Sequence, residues 1–451
     1  MAKPMEYNYV LKYRIGARLK EPLHVGSAMG EKNEVLIHPV TGIPFIQASS
    51  IAGAMRAYCD ESTPDLTEYI FGLQKMSETE NSGSRIKVSD GILENDERIK
   101  MEFRPRVKIS GKTGTVSSSK ITSTDNDAGH KFEMLLVGKN QKLMFECFLF
   151  LTADKLDKVK DAMMHIFSAI NSEVIQLGGQ KSNGCGYMEI DSLKLLEYDL
   201  AKPEGLSRWL DESEEGQKDI KEQLWDESKR EYVFIVEGET EGELQVRGIS
   251  SSEFGKNAPA SISMRNSENE YIVPGSSIKG VIRNQMKKIA GYLGLDAETV
   301  IEDTFGSQGK GSVSGKAGNI RFMDMVVGDY KENDMMPLRD HIHIDKFTGG
   351  VMNGGKFNEK NICGKFSFKV VIKDRDDAGR TAGLLILALR DIAMGTVSLG
   401  NGSSIGKGFL DIKKISVSYS GRQAEICPEN GSVKDESGMI NQWLREIKEG
   451  R

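Results

Sequence analysis

Two short segments place small residues and hydroxyl groups at the predicted start of a helix: FIQASSIAGAMR at 45–56 and YIVPGSSIKGVIR at 271–283. The first turn of a helix has unpaired amide N–H groups and a partial positive charge, so it favours an anion such as a phosphate. The alternative is an ordinary N-cap, in which a serine satisfies the helix end without any ligand. The candidate anion-binding residues of the two segments are Ser49, Ser50, Arg56, Ser276, Ser277, Lys279 and Arg283.

Two glycine-rich loops offer a second kind of anion site. LGGQKSNGCGYMEI begins at Leu177 and LGNGSSIGKGFLDI begins at Leu399. Closely spaced glycines let backbone N–H groups converge on a phosphate, while the alternative is a hairpin or β-bulge that requires positive φ. Neither loop places Lys-Ser or Lys-Thr after its last glycine, so the ATP chemistry of nucleotide hydrolases is disfavoured. The candidate residues of the loops are Gly178, Gly179, Lys181, Ser182, Gly184, Gly400, Gly402, Ser403, Ser404 and Lys407.

These features recur in the same order along the chain. The glycine loops align without a gap at an offset of 222, and the Ser-Ser turns align at 227. IFG at 70–72 matches TFG at 304–306, and RVKISGKTGTV at 106–116 matches HIHIDKFTGGV at 341–351. All offsets lie between 222 and 235. The sequence therefore predicts a duplicated domain.

Composition limits the class of protein. The 451 residues suffice for two or three domains, and the 38% hydrophobic and 28% charged residues are typical of a globular chain. No apolar run approaches the roughly 18 residues of a membrane helix, and the first residues lack the apolar core of a signal peptide. The five cysteines are scattered without a CxxC pair, which indicates a reducing compartment and excludes a zinc ribbon. We expect a cytoplasmic protein without a membrane partner.

Charge is unevenly distributed along the chain. The formal net charge of −6 disfavours nucleic-acid binding through bulk charge, so such binding would depend on local patches. Residues 204–232 are dense in Glu and Asp, whereas 100–120 are strongly basic.

Hydrophobic periodicity predicts the same β-α-β, insert, β-α-β order in each copy. That order is typical of an α+β protein with two tandem ferredoxin-like (RRM-like) domains, each with a β-hairpin inserted between its second and third strands. We predict a first domain at 1–198, an acidic helical linker at 199–230, a second domain at 231–420 and a helical tail at 421–451. The predicted apolar stripe of the linker comprises Leu206, Trp209, Leu210, Ile220, Leu224 and Trp225.

The two inserts have a distinctive composition. The first, 108–132, is polar and basic at its start, which suits an arm that touches RNA or a solvated loop. The second, 343–366, carries apolar residues that suit insertion between bases or contact with a neighbouring subunit. His341 and His343 alternate along one strand, but without a third ligand they are interpreted as surface hydrogen-bonding residues and not as a metal site.

The combination PGSSIKGxxR, TFG, IDKFTGG and GxGxxxxGxG resembles the RAMP superfamily of CRISPR-associated proteins. Within it, the chain is similar to the Cas-seven-type backbone subunits of type III effector complexes, over nearly all of 9–195 and 231–418. The tandem arrangement resembles the fused backbone proteins of type III-D and type III-E systems. The first copy departs from the family pattern at Gln47-Ala48, at Ala52 and at Thr115.

This resemblance implies a function in antiviral defence. Such subunits stack along a CRISPR RNA (crRNA), grip its phosphates, and interrupt the guide–target duplex at regular intervals with a hairpin thumb. The implied partners are crRNA, target single-stranded RNA, and other effector subunits: a large polymerase-like subunit, a small subunit and further backbone subunits. The thumbs would lie at 111–131 and 346–363, with thumb residues Thr113, Thr115, Val116, Phe347, Thr348, Val351 and Met352.

In active members of the family, an aspartate in the loop after the first strand is needed for metal-dependent cleavage of target RNA. The corresponding loops, 26–39 and 247–266, contain no aspartate. The position of that aspartate falls near Lys32 or Asn33 in the first copy and near Asn257 or Pro259 in the second. Asparagine supplies neither a charged metal ligand nor a base, so we expect slicing to be absent or weak, with no cofactor. The alternative is a metal-dependent endoribonuclease that uses Mg²⁺ and cuts target RNA at regular intervals. Its weak catalytic candidates are Glu31, Glu34 and Glu253.

Overall fold

The computed structural model describes residues 6–26, 34–73, 83–94, 99–107, 131–248, 261–307, 309 and 315–449. These residues form two compact units. The first unit lies within Met1–Met101, Leu136–Lys181 and Cys185–Ser228. The second unit lies within Glu102–Leu135, Ser182–Gly184 and Lys229–Arg451. Residues 102–107 and 131–135, at the base of the first insert, therefore belong to the second unit. Residues 182–184, at the tip of the first glycine loop, belong to it as well.

The first unit is built around an antiparallel sheet of long and short strands. Its elements, with the strands of the first insert, are β1 (Tyr9–Leu19), β2 (Phe45–Ile46), α1 (Ala48–Ser62), α2 (Pro64–Phe71), β3 (Ile86–Val88), β4 (Gly91–Leu93), β5 (Met101–Val107), β6 (Lys131–Val137), β7 (Lys142–Leu151), α3 (Leu156–Asn171), β8 (Met188–Asp199), α4 (Pro203–Leu210) and β9 (Lys218–Asp219). The sheet order is β2-β4-β7-β1-β8-β9, and β3 also pairs with β7. The long strands β1, β7 and β8 thus lie together at its centre.

The second unit repeats this plan. Its elements are β10 (Glu231–Glu241), β11 (Ser261–Ile262), β12 (Ile272–Val273), α5 (Gly275–Tyr292), α6 (Ala297–Phe305), β13 (Gly306–Ser307), β14 (Lys316–Ala317), β15 (Ile320–Phe322), β16 (Met325–Val327), α7 (Tyr330–Asp334), β17 (Arg339–Ile344), β18 (Val351–Lys360), β19 (Lys365–Lys373), α8 (Ala378–Ala393), β20 (Phe409–Tyr419), β21 (Arg422–Cys427), β22 (Ser432–Lys434) and α9 (Met439–Glu449). Its main sheet has the order β12-β16-β19-β10-β20-β21-β22, and β15 pairs with β19.

In both sheets the first long strand lies between the two later long strands and is antiparallel to each of them. This is the ferredoxin-like order, so the predicted α+β fold with two tandem palm domains is confirmed. Alternate residues of the central strand β1 are buried, as period-2 patterning of a strand with one covered face requires. None of the helices that the structure describes is long and apolar enough to cross a bilayer.

The inserts are strand pairs placed before the second long strand of each palm. β17 and β18 pair from Arg339↔Glu359 to Ile344↔Val351 and form the predicted second hairpin. β5 and β6 form a separate two-stranded sheet at the base of the first insert. The segment between them, which contains the predicted thumb residues Thr113, Thr115 and Val116, lies outside the described residues.

The segment predicted as a helical linker, 199–230, is helical only over α4, with short 3₁₀ turns further on. Beyond α4 its apolar residues are fixed one at a time on the first unit. Ile220 is buried, and its N–H donates to Leu193 O (2.9 Å). The Trp225 ring lies edge-on to the His165 ring of α3, with 4.8 Å between centroids. The apolar residues of the segment therefore contact the first unit individually, and they do not form the continuous apolar face of a helix.

The tail is helical only from Met439. Before it, β21 and β22 extend the second sheet, so strands follow the boundary predicted at 420. Trp443 of α9 is 1% exposed and packs on Tyr232 and Phe234 of β10, which ties the last helix to the core.

A buried carboxylate fixes the start of α5. The Gly275 N–H donates to Asp324 Oδ1 (2.8 Å), and Arg104 contacts both oxygens of the same carboxylate (3.0 and 2.7 Å). Arg104 in turn donates to Glu102, whose other oxygen accepts the Ser267 N–H (2.9 Å). The Arg104 and Glu102 side chains are 3% and 2% exposed, so each charge depends on its partners for stabilisation.

The first unit has the same cap in a simpler form. The Ala48 N–H at the start of α1 donates to Asp90 Oδ1 (2.7 Å). Asp90 is half-buried and forms no ion pair with any residue that the structure describes. Asp90 and Asp324 lie 234 positions apart, within the range of offsets of the repeat. Their spacing is therefore a sequence signal for this cap, although the motifs considered above did not include it.

We predict unequal costs for removing the two caps. Asp324→Ala removes a carboxylate that pairs with the buried Arg104, so the free energy of unfolding falls by about 3 to 5 kcal/mol. Asp90→Ala removes only a helix cap and costs about 1 kcal/mol. Urea titration followed by circular dichroism measures both values. If both variants lost the same free energy of unfolding, the ion pairs of Arg104 would contribute nothing beyond the helix cap.

Candidate functional site

The Ser-Ser turn of the second unit lies inside the helix and not at its cap. Pro274 is the N-cap, Gly275 is the first helical residue, and the half-buried Ser276 and Ser277 follow in the first turn. The Ser277 N–H donates to Pro274 O (2.8 Å), and the Gly275 N–H is used by the aspartate cap. The protein itself therefore uses two of the amides that sequence reasoning offered to a phosphate.

The first unit has the same arrangement. Gln47 is the N-cap of α1, Ser49 and Ser50 occupy its first turn, and the Ser50 N–H donates to Gln47 O (2.9 Å). Ser49 is exposed and Ser50 is half-buried. The ordinary N-cap that we considered as the alternative is also not observed, because neither N-cap side chain makes a capping hydrogen bond.

A group of cations lies one turn into α5. Lys279 is half-buried, and its Nζ donates to Ser182 Oγ (2.8 Å). Burial, and then the nearby charges of Arg283 and Arg106, lower the pKa of Lys279 to about 8. The three influences act in the same direction, which identifies a locally positive environment in which an added anion is favourable. The structure thus brings together three predicted residues, Ser182, Lys279 and Arg283, and adds Arg106, which sequence reasoning missed.

The two repeat arginines contact their own Phe-Gly turns. The exposed Arg283 guanidinium lies over the Phe305 ring at 5.6 Å. Arg56 Nη1 donates to Phe71 O (3.2 Å), at the end of α2. Phe71 and Phe305 are the aromatic residues of the IFG and TFG landmarks, so each repeat arginine contacts the landmark of its own copy, through the backbone in the first and the ring in the second.

The glycine loops use glycine for close backbone packing. Gly400 and Gly408 have φ values of +81° and +83°, and a Cβ on them would lie 2.3 Å from Gln245 O and 2.0 Å from Leu399 O. The Asn401 N–H donates to Gln245 O (2.8 Å). These glycines therefore serve the bulged turn that we considered as the alternative to phosphate binding.

The first loop repeats these contacts. A Cβ on Gly178 would lie 2.4 Å from His24 O, and the Gly179 N–H donates to the same oxygen (2.7 Å). Gly184 is buried, and its Cβ would lie 2.8 Å from Phe322 O in the second unit, to which the loop tip belongs. Lys181 lies at the exposed edge of this loop.

The second loop exposes its tip but not its lysine. Ser403 and Ser404 are exposed, and Gly402 before them is half-buried. Lys407 is 8% exposed and forms an ion pair with Glu359, whose carboxylate also accepts a hydrogen bond from His341 Nε2 (2.9 Å). Burial lowers the pKa of Lys407. Lys407 is thus directed into the protein, which corrects the prediction that it adds charge to an open loop.

The second hairpin presents an apolar tip. Asp345 Oδ1 accepts the N–H groups of Phe347 (3.0 Å) and Thr348 (2.8 Å), which closes the turn. Phe347 is 86% exposed, and Val351 and Met352 are more than half exposed. The predicted thumb residues of the second copy are therefore together and accessible.

The two histidines of β17, His341 and His343, pack against an aromatic ring of β18. His341 and His343 lie against the Phe357 ring, with centroids 4.9 and 5.3 Å away. In the described part of the chain, no group of three or more His, Cys, Asp or Glu residues is arranged to hold a metal ion. Glu34 is exposed, whereas Glu31 and Glu253 lie outside the described residues.

Comparison with known proteins identifies the family. The RAMP superfamily profile matches residues 17–189 and 254–411. A search of curated proteins gives no match. Among solved structures, the chain is similar to one from "Cryo-EM structure of the Type III-B Cmr-beta bound to cognate target RNA", with 15% identity and a TM-score of 0.31. That alignment covers 42% of this chain and 61% of the other, less than two thirds of its length. Because the two profile matches together span most of the sequence, once per repeat, the chain belongs to the RAMP superfamily.

Proposed function

We propose that this protein is a crRNA-binding backbone subunit of a type III CRISPR RNA-guided effector complex. It grips the guide RNA and positions complementary single-stranded target RNA for antiviral defence. Membership of the RAMP superfamily, the duplication and the cation group on α5 support this function. The subunits that would flank it are further backbone subunits, a large polymerase-like subunit and a small subunit.

The observation that carries the proposal is the environment of Lys279. A half-buried ammonium beside two guanidinium groups is destabilised by desolvation and by like charge, and its lowered pKa reports that cost. A phosphate placed among Lys279, Arg283 and Arg106 would relieve both effects. Contacts of this type hold an RNA backbone without reading its sequence, which suits a complex in which base pairing with the guide selects the target.

The second hairpin supplies a complementary feature. Exposed Phe347, Val351 and Met352 form an apolar tip on a hydrogen-bonded turn, which is the kind of surface that proteins insert between stacked bases. An insertion of this kind would interrupt a guide–target duplex at one position. It would also account for an apolar tip that no described part of the chain covers.

Charge reversal at the cation group tests the proposal. Lys279→Glu is expected to weaken binding of a labelled guide RNA by at least about tenfold, and Lys279→Ala to reduce the slope of log affinity against log salt by about 1. Fluorescence anisotropy of the purified chain measures both. Lys434→Glu on β22, whose lysine is 78% exposed, is the matched control and is expected to bind normally. Equal losses in both variants would indicate bulk charge and would contradict the proposal.

Binding is also expected to depend on pH. The pKa of Lys279 is about 8 in the free protein, and a bound phosphate raises it. Between these two values, binding takes up a proton, so affinity falls several-fold as the pH rises from about 7 to about 9.5. Lys279→Arg keeps its charge in this range and should abolish the decrease. Calorimetry in buffers of different ionisation enthalpy at about pH 8.5 measures the proton uptake directly.

The alternative function is a metal-dependent endoribonuclease that slices target RNA at regular intervals. The loops 26–39 and 247–266 contain no aspartate, which favours the non-cleaving subunit. The assembled complex with magnesium is therefore expected to leave labelled complementary RNA intact. Regularly spaced cuts that disappear in Glu31→Ala or Glu253→Ala would favour the enzyme, and a chelated sample and a non-complementary RNA serve as controls.

A further inference from the structure

One face of the first sheet carries aromatic rings next to cations. Phe148 and Phe150 alternate along β7, and Lys12 and Arg14 alternate along the neighbouring β1. Lys12 lies directly opposite Phe148 in the register, and its Nζ lies 5.0 Å from the centre of that ring. All four side chains are half-buried, whereas the residues between them, such as Tyr13, are buried in the core.

The charges around these rings are mixed but mainly positive. Lys87 Nζ lies 4.9 Å from the centre of the Phe150 ring. The Glu146 carboxylate pairs with Lys12 (3.3 Å) and Arg14 (2.6 Å), so one anion faces three cations on this surface. Aromatic rings on the central strands of such a sheet, flanked by basic groups, are the arrangement on which single-stranded bases stack in RNA-binding domains of this architecture.

The fold itself does not require these residues. The bulge that follows Gly16 in β1 follows Glu237 in β10, which aligns the two strands. The positions of Lys12 and Arg14 are then occupied by Val233 and Ile235 in the second unit. Across the strands, Val371 takes the place of Phe148. The second sheet is therefore built without the aromatic and basic set, so the set calls for another explanation.

An acidic segment covers this face. The Trp209 ring of α4 lies edge-on to Phe148 and Phe150, with 6.3 Å between centroids in each case, and 5.3 Å from Tyr198. A few residues further along, the Glu214 carboxylate forms an ion pair with Arg14. The segment 203–215, which we call the strap, thus places an aromatic ring against the phenylalanines and an anion on the arginine.

The strap has few buried residues of its own. α4 has only 8 residues, of which only Gly205 is buried. Leu206 and Leu210 are 42% and 71% exposed, so the main apolar anchor of the strap is Trp209, which packs against the small cluster of Val10, Leu196 and Tyr198. Segments with few buried apolar contacts open locally at low cost in free energy.

We propose that this sheet face is a second binding site for single-stranded RNA, and that the strap occupies it in the absence of RNA. Trp209 takes the place of a stacked base, and Glu214 takes the place of a phosphate. RNA and strap then compete for Phe148, Phe150 and Arg14. The site is separate from the cation group on α5 and does not depend on it.

Releasing the strap tests this proposal in the full chain. The double variant Trp209→Ala, Glu214→Lys, made in a Lys279→Glu background to remove the proposed guide site, is expected to bind fluorescent oligo(U) at least about tenfold more tightly than that background. Adding Phe148→Ala and Phe150→Ala should remove the gain. Ultraviolet cross-linking with mass spectrometry is expected to move to the peptide that contains β7.

Further variants separate RNA binding from a structural role of the strap. Leu210→Ala changes an exposed residue of the same helix and should leave affinity unchanged. Glu214→Lys alone keeps the Trp209 packing, so it is expected to fold and still to gain about threefold. A folded Glu214→Lys or double variant without a gain, or a gain that persists after both phenylalanines are removed, would overturn the proposal.

Discussion

The position of α5 depends on a carboxylate buried at its first turn. Asp324 accepts the Gly275 N–H and is held by Arg104, which is itself held by Glu102. A buried charge is tolerated only when partners compensate for lost hydration, so these groups fix one another in a single arrangement. Because the carboxylate already satisfies the first amide of the helix, the anion that we propose would contact the side chains one turn along α5 and not this amide.

The environment of each lysine decides what that lysine can do. Lys279 and Lys407 looked equivalent in the sequence, since each follows a small-residue turn and each was expected to add charge for RNA. Lys279 is half-buried and lies near the charges of Arg283 and Arg106, and these effects lower its pKa, whereas Lys407 is buried against Glu359. The first arrangement favours an added anion, and the second already contains one. The net charge of −6 for the whole chain therefore does not predict the local charge around either lysine.

The acidic linker segment makes specific contacts with the first unit, which a solvated linker would not make. The segment after β8 packs through Trp209 and Glu214 on an aromatic and basic sheet face that the second repeat lacks. Duplication therefore preserved the scaffold of the palm while the outer faces of the two sheets diverged. Scaffold positions are constrained by the core, whereas surface positions are free to acquire separate binding functions.

The sequence alone determined the duplication, the order of strands and helices within each palm, the ferredoxin-like fold and the presence of an insert in each copy. These follow from local causes: period-2 burial along strands, apolar faces on helices, and glycines that must adopt positive φ. Only the tertiary structure decided the ends of the linker helix, the aspartate caps, the burial of Lys407 and the association of Arg106 with Lys279. Those depend on partners far apart in the chain, such as Arg104 and Asp324, 220 residues apart, whose approach no local pattern specifies.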